Sequence, residues 1–397
     1  DHQLAQEIIL GIGGSGMLDE LGYDVDTYHM NEGHAALLTL ELLKRNDMDP
    51  DAVREQTVFT THTPVEAGHD QFPWNMVDRV LGEFVDPAIL RTFGGPDRLN
   101  MTRLALSLSG YVNGVARRHA ETSRRMFPGY QVRSITNGVH PYPWTAPAFR
   151  ALYDRYLPGW CHEPEILTRA ETIPDDEILE AHHASANPLI ERVRAASGIE
   201  LAPERFTIGF ARRMTAYKRP DLLFRDLERL RALSRTWPMQ IVLAGKAHPR
   251  DDGGKALIAD IHAAARDLAA DIPVIVLPDY DMALAGELVA GVDLWLNTPQ
   301  PPLEASGTSG MKAAFNGVPS LSVLDGWWVE GCVEGVTGWA IDDGPDADPA
   351  DSLYHKLEMR VLPLYHENRS AWIAVMRGAI TMNAALFSSH RMMRRYA

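Results

Sequence analysis

Phe206-Thr-Ile-Gly-Phe210, running into Ala211-Arg212-Arg213-Met-Thr-Ala-Tyr217-Lys218-Arg219-Pro220, is the stretch on which the fold reading turns. A short apolar run of strand length delivers the chain into a loop with four cations in eight residues. Residues 220–236 then place Leu223, Leu227 and Leu230 on one helical face. The alternation continues outward. Strands are expected at 240–244, 272–277, 292–297 and 319–324, and helices at 255–269 and 282–290. Regular strand–helix alternation predicts a parallel, doubly wound α/β sheet with right-handed crossovers. Such sheets bind ligands at the carboxyl ends of their strands, which is where the basic loop falls. In a chain this acidic, the four cations read as a pocket for one or more phosphates.

The strand at 292–297 leads to Glu304-Ala-Ser-Gly-Thr-Ser-Gly-Met-Lys312. Small residues with free backbone N–H groups enter a helix-forming segment, so 306–310 should cradle an anion at a helix N-terminus. Gly307 and Gly310 would let the backbone approach that anion, having no Cβ. A lysine there can bind phosphate or, when desolvated, act as a Schiff-base amine. The second role suggests pyridoxal phosphate, with its aldehyde on Lys312 and its phosphate near Thr308 and Ser309. Read alone, a Gly/Ser-rich helix cap with a solvated lysine stands equally well. Glu304 offers a carboxylate able to orient sugar hydroxyls. Tyr280, after the 272–277 strand, points at the same edge.

At 397 residues the chain is long for one core, and two domains are expected. A formal charge of −15 argues against nucleic acid or an anionic membrane as partner. Cys161 and Cys332 form no disulfide framework and no metal-spacing motif, which fits a reducing, cytoplasmic setting. Apolar runs are of strand length, so no membrane span is expected. The chain opens on Asp1 within a helical pattern, and the expectation is that an N-terminal part of a larger protein precedes it.

In the first third, residues 3–10 have helical spacing and stop at Gly11-Ile-Gly-Gly-Ser-Gly16. This satisfies the dinucleotide pattern G-x-G-x-x-G, but a helix precedes it where a strand is required, so a helix-to-helix turn is expected. Residues 26–34, ending Asn31-Glu32-Gly33-His34, read as a strand passing into a helix at 35–44. Residues 58–64 read as a strand ending in Thr61-His62-Thr63-Pro64. Two histidines at strand ends, His34 and His62, point as much to a binding edge as to structure. A metal is not expected, since no third ligand has suitable spacing. A long helix is expected at 104–125 and a strand and turn at 132–140, with Asn137-Gly138 read as a turn pair. The proline-rich run to Pro147 suggests a domain boundary. The acidic run at 342–351 reads as a solvated loop, and 353–397 as terminal helices.

Several of these stretches resemble the α-glucan phosphorylases: Asn31-Glu-Gly-His34, Thr61-His-Thr63, Ile135-Thr-Asn-Gly138, Arg213 to Arg219, and above all Glu304 to Lys312. Leu324-Asp-Gly-Trp-Trp328 is similar to the shorter bacterial and archaeal branch of that family. The resemblance implies a GT-B fold of two Rossmann-like domains with the active site in the cleft between them. The expected division is 1–145 for the remainder of the N-terminal domain and 146–200 for connecting helices. It continues with 201–365 for the C-terminal cofactor domain and 366–397 for helices packing back towards the N-terminal domain.

The implied reaction is phosphorolysis of terminal α-1,4 bonds of glycogen or maltodextrin by inorganic phosphate, releasing α-D-glucose 1-phosphate with retention. By the family's pattern Lys312 carries pyridoxal phosphate. Arg212, Thr308 and Ser309 would hold its phosphate, with Tyr280 nearby. Arg213 and Lys218 would hold the substrate phosphate. His62, Asn137, Glu304, Ser306 and Gly307 would hold the glucosyl unit, and His34 and Glu32 would line the adjoining pocket. A homodimer is compatible with the resemblance.

There are departures. The family's early Gly-rich phosphate loop has no counterpart, Arg212 stands where many members have lysine, Gly310 where Asn is common, and Asp281 where many have Arg. This chain by itself is therefore expected to be weakly active or inactive, while still able to bind pyridoxal phosphate. A nucleotide-sugar-dependent GT-B glycosyltransferase and a non-catalytic glucan-binding remnant remain as alternatives.

Overall fold

The computed structural model describes residues 1–397, the side chain of Ala67 excepted. The chain divides into two compact α/β units, Asp1–Thr136 and Asn137–Ala397.

The first unit contains strands β1 (Tyr28–Asn31), β2 (Thr57–Thr61), β3 (Gln71–Pro73), β4 (Arg98–Asn100), β5 (Tyr111–Gly114) and β6 (Arg133–Ser134). Strands β1, β2, β5 and β6 pair in that order as a parallel sheet, and β3 and β4 form a small antiparallel ribbon. Helices cover the sheet and bury Leu4, Met30, Leu40, Phe59 and Leu104.

Two expectations fail here. The glycines at 11–16 make no turn: helix His2–Ile8 continues through a π segment, Ile9–Gly13, into helix Gly14–Glu20. Gly11 is there for contact, since a Cβ on it would lie 2.7 Å from the backbone nitrogen of Leu38. The long helix expected at 104–125 is instead helix Met101–Ser107, strand β5 and helix Arg117–Met126. Tyr111 to Gly114 pairs with β2, and Gly110 at the break presses against the carbonyl of Arg54, where no side chain fits.

The second unit contains β7 (Phe206–Ala211), β8 (Met239–Ala244), β9 (Val274–Leu277), β10 (Leu294–Asn297), β11 (Ser320–Val323) and β12 (Gly338–Ile341). All pair in parallel in the order β12-β11-β10-β7-β8-β9. Numbered from β7 as the first, this is 3-2-1-4-5-6, the Rossmann order, so the winding direction reverses between β7 and β10. Strands β7 and β8 are buried along their whole length, as sheets covered on both faces require. Strand β12 lies outside the sequence expectation.

The helix expected over 220–236 begins only at Leu227, after a 3₁₀ turn at Leu222–Phe224. Asp226 caps it by accepting from the Arg229 amide. Asn137-Gly138 forms no turn. Val139 bridges to Ser388, and a Cβ at Gly138 would meet the Ser388 carbonyl oxygen at 2.1 Å. The acidic run is only partly a loop, because Asp348 caps helix Pro349–Lys356 and Asp343 pairs with Arg219.

Together the two parallel α/β units have the composition of the GT-B class. Among the described residues, no helix is long and apolar enough to cross a membrane.

Candidate active site

The carboxyl ends of β7 and β10 converge where the sheet order reverses, and the chemistry-bearing residues of the second unit gather there. Arg212 and Lys218, from the loop after β7, both donate to one oxygen, Oε2 of Glu304, each at 2.6 Å. All three side chains are nearly buried, at 11% exposure. Burial pushes the Glu304 carboxyl up, but Arg212 and Lys218 outweigh it and hold it below its ordinary value. Burial, with Arg212 beside it, lowers Lys218 to about 8 even against the attraction of Glu304. Glu304 is therefore an ionised counter-charge, and Lys218 a cation that loses its proton within reach of physiological pH.

The backbone around Glu304 is held from β11. The Glu304 amide donates to Asp325 Oδ2 at 2.8 Å, and the Trp327 amide donates to the Ser306 carbonyl at 2.8 Å. Gly326 makes this possible, since a Cβ on it would stand 2.2 Å from the Ser306 oxygen. Asp325 thus positions Glu304. The sequence reading used Leu324 to Trp328 only as a mark of resemblance, although an Asp-Gly pair directly after a strand is itself a signal of a ligand-edge loop.

Arg219 has a left-handed backbone, φ 46°, and turns away from the cluster. Its guanidinium donates to the carbonyls of Thr298 and Pro299 and to Asp343 at 2.8 Å, tying the loop after β7 to the loop after β10. Arg213 is exposed and has no carboxylate partner among the described residues. Two guanidinium nitrogens of Arg212, Nε and Nη1, are buried without a hydrogen-bond partner. The cations at this edge exceed the carboxylates that face them, an arrangement suited to anions.

Lys312 lies in the short helix Ser309–Ala314. Its Nζ sits 3.7 Å from the centre of the Trp144 ring, and burial alone pushes its pKa down. Thr308 occupies the N-cap position without a side-chain cap bond, and Ser309 Oγ accepts from the Trp295 indole at 2.9 Å. The reason expected for Gly310 changes. A Cβ there would come within 2.7 Å of Trp327, so the glycine admits a tryptophan ring and not an anion. Ser306 is buried, Gly307 and Asn137 half-buried, and the Asn137 carbonyl accepts from Arg391. Tyr280 is half-buried; burial raises its phenol, which Arg212 partly offsets. Asp281, next to it, caps helix Met282–Gly291.

In the first unit, Glu32 sits at φ 71° at the end of β1 and reaches across to β2. Its carboxylate accepts from the amides of Gly33 and His62 and from the Thr63 hydroxyl, so Glu32 fixes the loop that carries His62. His62 Nε2 lies 2.5 Å from Asn31 Oδ1, and burial pushes its pKa down against the pull of Glu32. His34 points elsewhere, its Nδ1 3.1 Å from Asp70 Oδ2. There Glu7, His34 and Asp70 each bring one ligand atom within 4.8 Å of the others. This group does not include His62, and its members were not singled out by spacing along the chain.

A separate cavity of about 630 Å³ opens at the other edge of the second sheet, beside Thr207, Gln240 and Asp293. It contains none of the residues expected from sequence.

Against known proteins, residues 88–336 match the family model described as carbohydrate phosphorylase, more than half of the chain. The chain is 39% identical to a maltodextrin phosphorylase of Thermococcus litoralis, over 100% of this chain and 53% of that protein. It is 37% identical to a glycogen phosphorylase of Aquifex aeolicus, over 100% of this chain and 65% of that protein. An uncharacterised protein of Methanocaldococcus jannaschii is 33% identical over 99% of this chain and 72% of its own length. The chain spans about half to two thirds of the length of the two named phosphorylases. With the Rossmann-ordered sheet, the basic loop at its reversal point and the family model all in agreement, the chain belongs to the carbohydrate phosphorylase family.

Proposed function

We propose that this chain carries the phosphate- and cofactor-handling machinery of an α-glucan phosphorylase. The reaction is reversible phosphorolysis of terminal α-1,4-glucosidic bonds of glycogen or maltodextrin, giving α-D-glucose 1-phosphate. The observation that carries this reading is the cluster in which a single oxygen of Glu304 holds both Arg212 and Lys218, with Arg213 left without a carboxylate.

The residues present fit pyridoxal phosphate. The two partnerless N–H groups of Arg212 suit a phosphate, and Lys312 is a desolvated amine with no carboxylate to pin it as a cation. Lys312 would attach the cofactor, Arg212 with Thr308 and Ser309 would hold its phosphate, and Tyr280 would stand beside it. When bound, the cofactor supplies a phosphate group with a second pKa near 6, able to exchange a proton near neutral pH.

The chain's own groups do the rest. Arg213 and Lys218 gather the inorganic phosphate and offset the repulsion between two phosphates brought close together. Glu304 is committed as an ionised counter-charge and so orients sugar hydroxyls; it is not a free nucleophile. That leaves the substrate phosphate to protonate the departing glycosidic oxygen and to take its place at the anomeric carbon from the same face, which gives retention. Ser306, Gly307 and Asn137 complete the glucosyl contacts. In the first unit, His62 is assigned to sugar recognition, with Glu32 holding the His62 loop. Two unbridged cysteines agree with a cytoplasmic setting.

The test is incubation of the cofactor-loaded protein with maltoheptaose and phosphate. We expect α-D-glucose 1-phosphate to form slowly, in a phosphate-dependent way, and not at all with Lys312→Ala. Glucosyl transfer from a nucleotide sugar in its place would contradict the reading.

A further inference from the structure

Away from the phosphate cluster, the first unit holds a mixed-donor group that the reaction above does not use. Glu7 lies in helix His2–Ile8, His34 in the 3₁₀ turn Gly33–Ala35, and Asp70 just before β3. One ring nitrogen and one oxygen from each carboxylate lie within 4.8 Å of one another. Gln3, one helical turn before Glu7, orients both acids. Its Nε2 donates to Glu7 Oε1 at 3.0 Å and to Asp70 Oδ1 at 2.7 Å. That leaves the second oxygen of each. Asp70 Oδ2 faces His34 Nδ1 at 3.1 Å, and Glu7 Oε2 is buried with no hydrogen-bond partner at all. Glu7 as a residue is 4% exposed.

A buried carboxylate oxygen without a donor is costly unless something positive meets it. No lysine or arginine forms an ion pair with Glu7 or Asp70 among the described residues; His34 is the only basic partner, and it is largely exposed. We propose that Glu7, His34 and Asp70 form a divalent-cation site, with Gln3 as the outer group that orients the two carboxylates.

The distances suit an ion. Two ligands about 2.1–2.2 Å from a metal and roughly at right angles are about 3 Å apart, the separation of His34 Nδ1 and Asp70 Oδ2. One imidazole and two carboxylates form a hard-to-borderline donor set, favouring Mn²⁺ or Zn²⁺ over a soft, thiolate-seeking ion. Two negative charges balance a divalent cation. The exposed side of His34 leaves room for the water ligands that complete six-coordination around Mn²⁺. Binding exchanges the His34–Asp70 hydrogen bond for two metal bonds. The site involves neither Lys312 nor the 212–219 loop, so it stands or falls apart from the function proposed above.

The experiment is titration of the intact, chelator-treated protein with Mn²⁺, following the free aquo-ion by electron paramagnetic resonance. One Mn²⁺ per chain is expected, with affinity lowered by about tenfold or more in Glu7→Gln and in Asp70→Asn. Both replacements keep the shape and remove the charge. If Glu7→Gln does not fold, Asp70→Asn, on a half-exposed residue, decides alone. Absence of stoichiometric binding, or equal binding in wild type and the folded variants, would overturn the proposal.

Discussion

Lys218 Nζ and Glu304 Oε2 lie 2.6 Å apart, on side chains arriving from the two strands between which the sheet order reverses. Neither side chain has much water, and Arg212 competes for the same oxygen. The cluster is therefore tuned electrostatically, and it titrates where an enzyme can use it.

The lowered pKa of Lys218, about 8, sets a pH dependence for anion binding. Below that value the amine is charged and attracts phosphate; above it the charge is lost. Phosphate affinity should hold up to about pH 8 and then fall with rising pH. Lys218→Arg, whose guanidinium stays charged throughout, should flatten that decline. Phosphate dissociation constants between pH 6.5 and 9.5 for both proteins provide the check. An unchanged alkaline decline in the variant would assign the titration to another group.

Glu304→Gln leaves Arg212 and Lys218 facing each other without a counter-charge. Breaking a buried pair in this way costs about 3 kcal/mol. Chemical denaturation should show that loss, and inorganic phosphate should restore more stability to the variant than it adds to the wild type. Equal stabilisation of both proteins by phosphate would mean that the cations do not face the anion site.

Gly326→Ala tests how Glu304 is held. The added methyl would stand 2.2 Å from the Ser306 oxygen, at a backbone φ of 53°. The loop carrying Glu304 and Ser306 must then move. A loss of about 2–3 kcal/mol in unfolding free energy is expected. A variant as stable as the wild type would show that this contact does not constrain the loop.

Much of the second unit was legible because its strands are mostly apolar and its helices carry one-sided leucines, as at Leu230 and Leu233. The basic loop could be placed because a strand this regular fixes its own carboxyl end. What escaped was local. Strand β12, Gly-Trp-Ala-Ile, opens on a glycine directly after a loop, so no apolar run marks it off from its surroundings. Strand β5 hid inside a longer helical pattern, because Tyr111 and Val112 also suit a helix face and only pairing with β2 decides between the two. Gly11 and Gly138 looked like turn residues, but each owes its identity to a backbone from a distant part of the chain. The Glu7–His34–Asp70 group was invisible for a related reason, since its members are brought together by a helix, a 3₁₀ turn and a ribbon and not by any spacing. The role of Asp325 lay in a hydrogen bond to the Glu304 amide, which no side-chain pattern announces.

Lys312, desolvated over Trp144, is the amine proposed to carry the cofactor. Borohydride reduction of the protein loaded with pyridoxal phosphate, followed by peptide mapping, tests it most directly. One pyridoxyl group per chain is expected, on the peptide containing Lys312, and none in Lys312→Ala. Stable modification at another lysine, or equal labelling of Lys312→Ala, would contradict it.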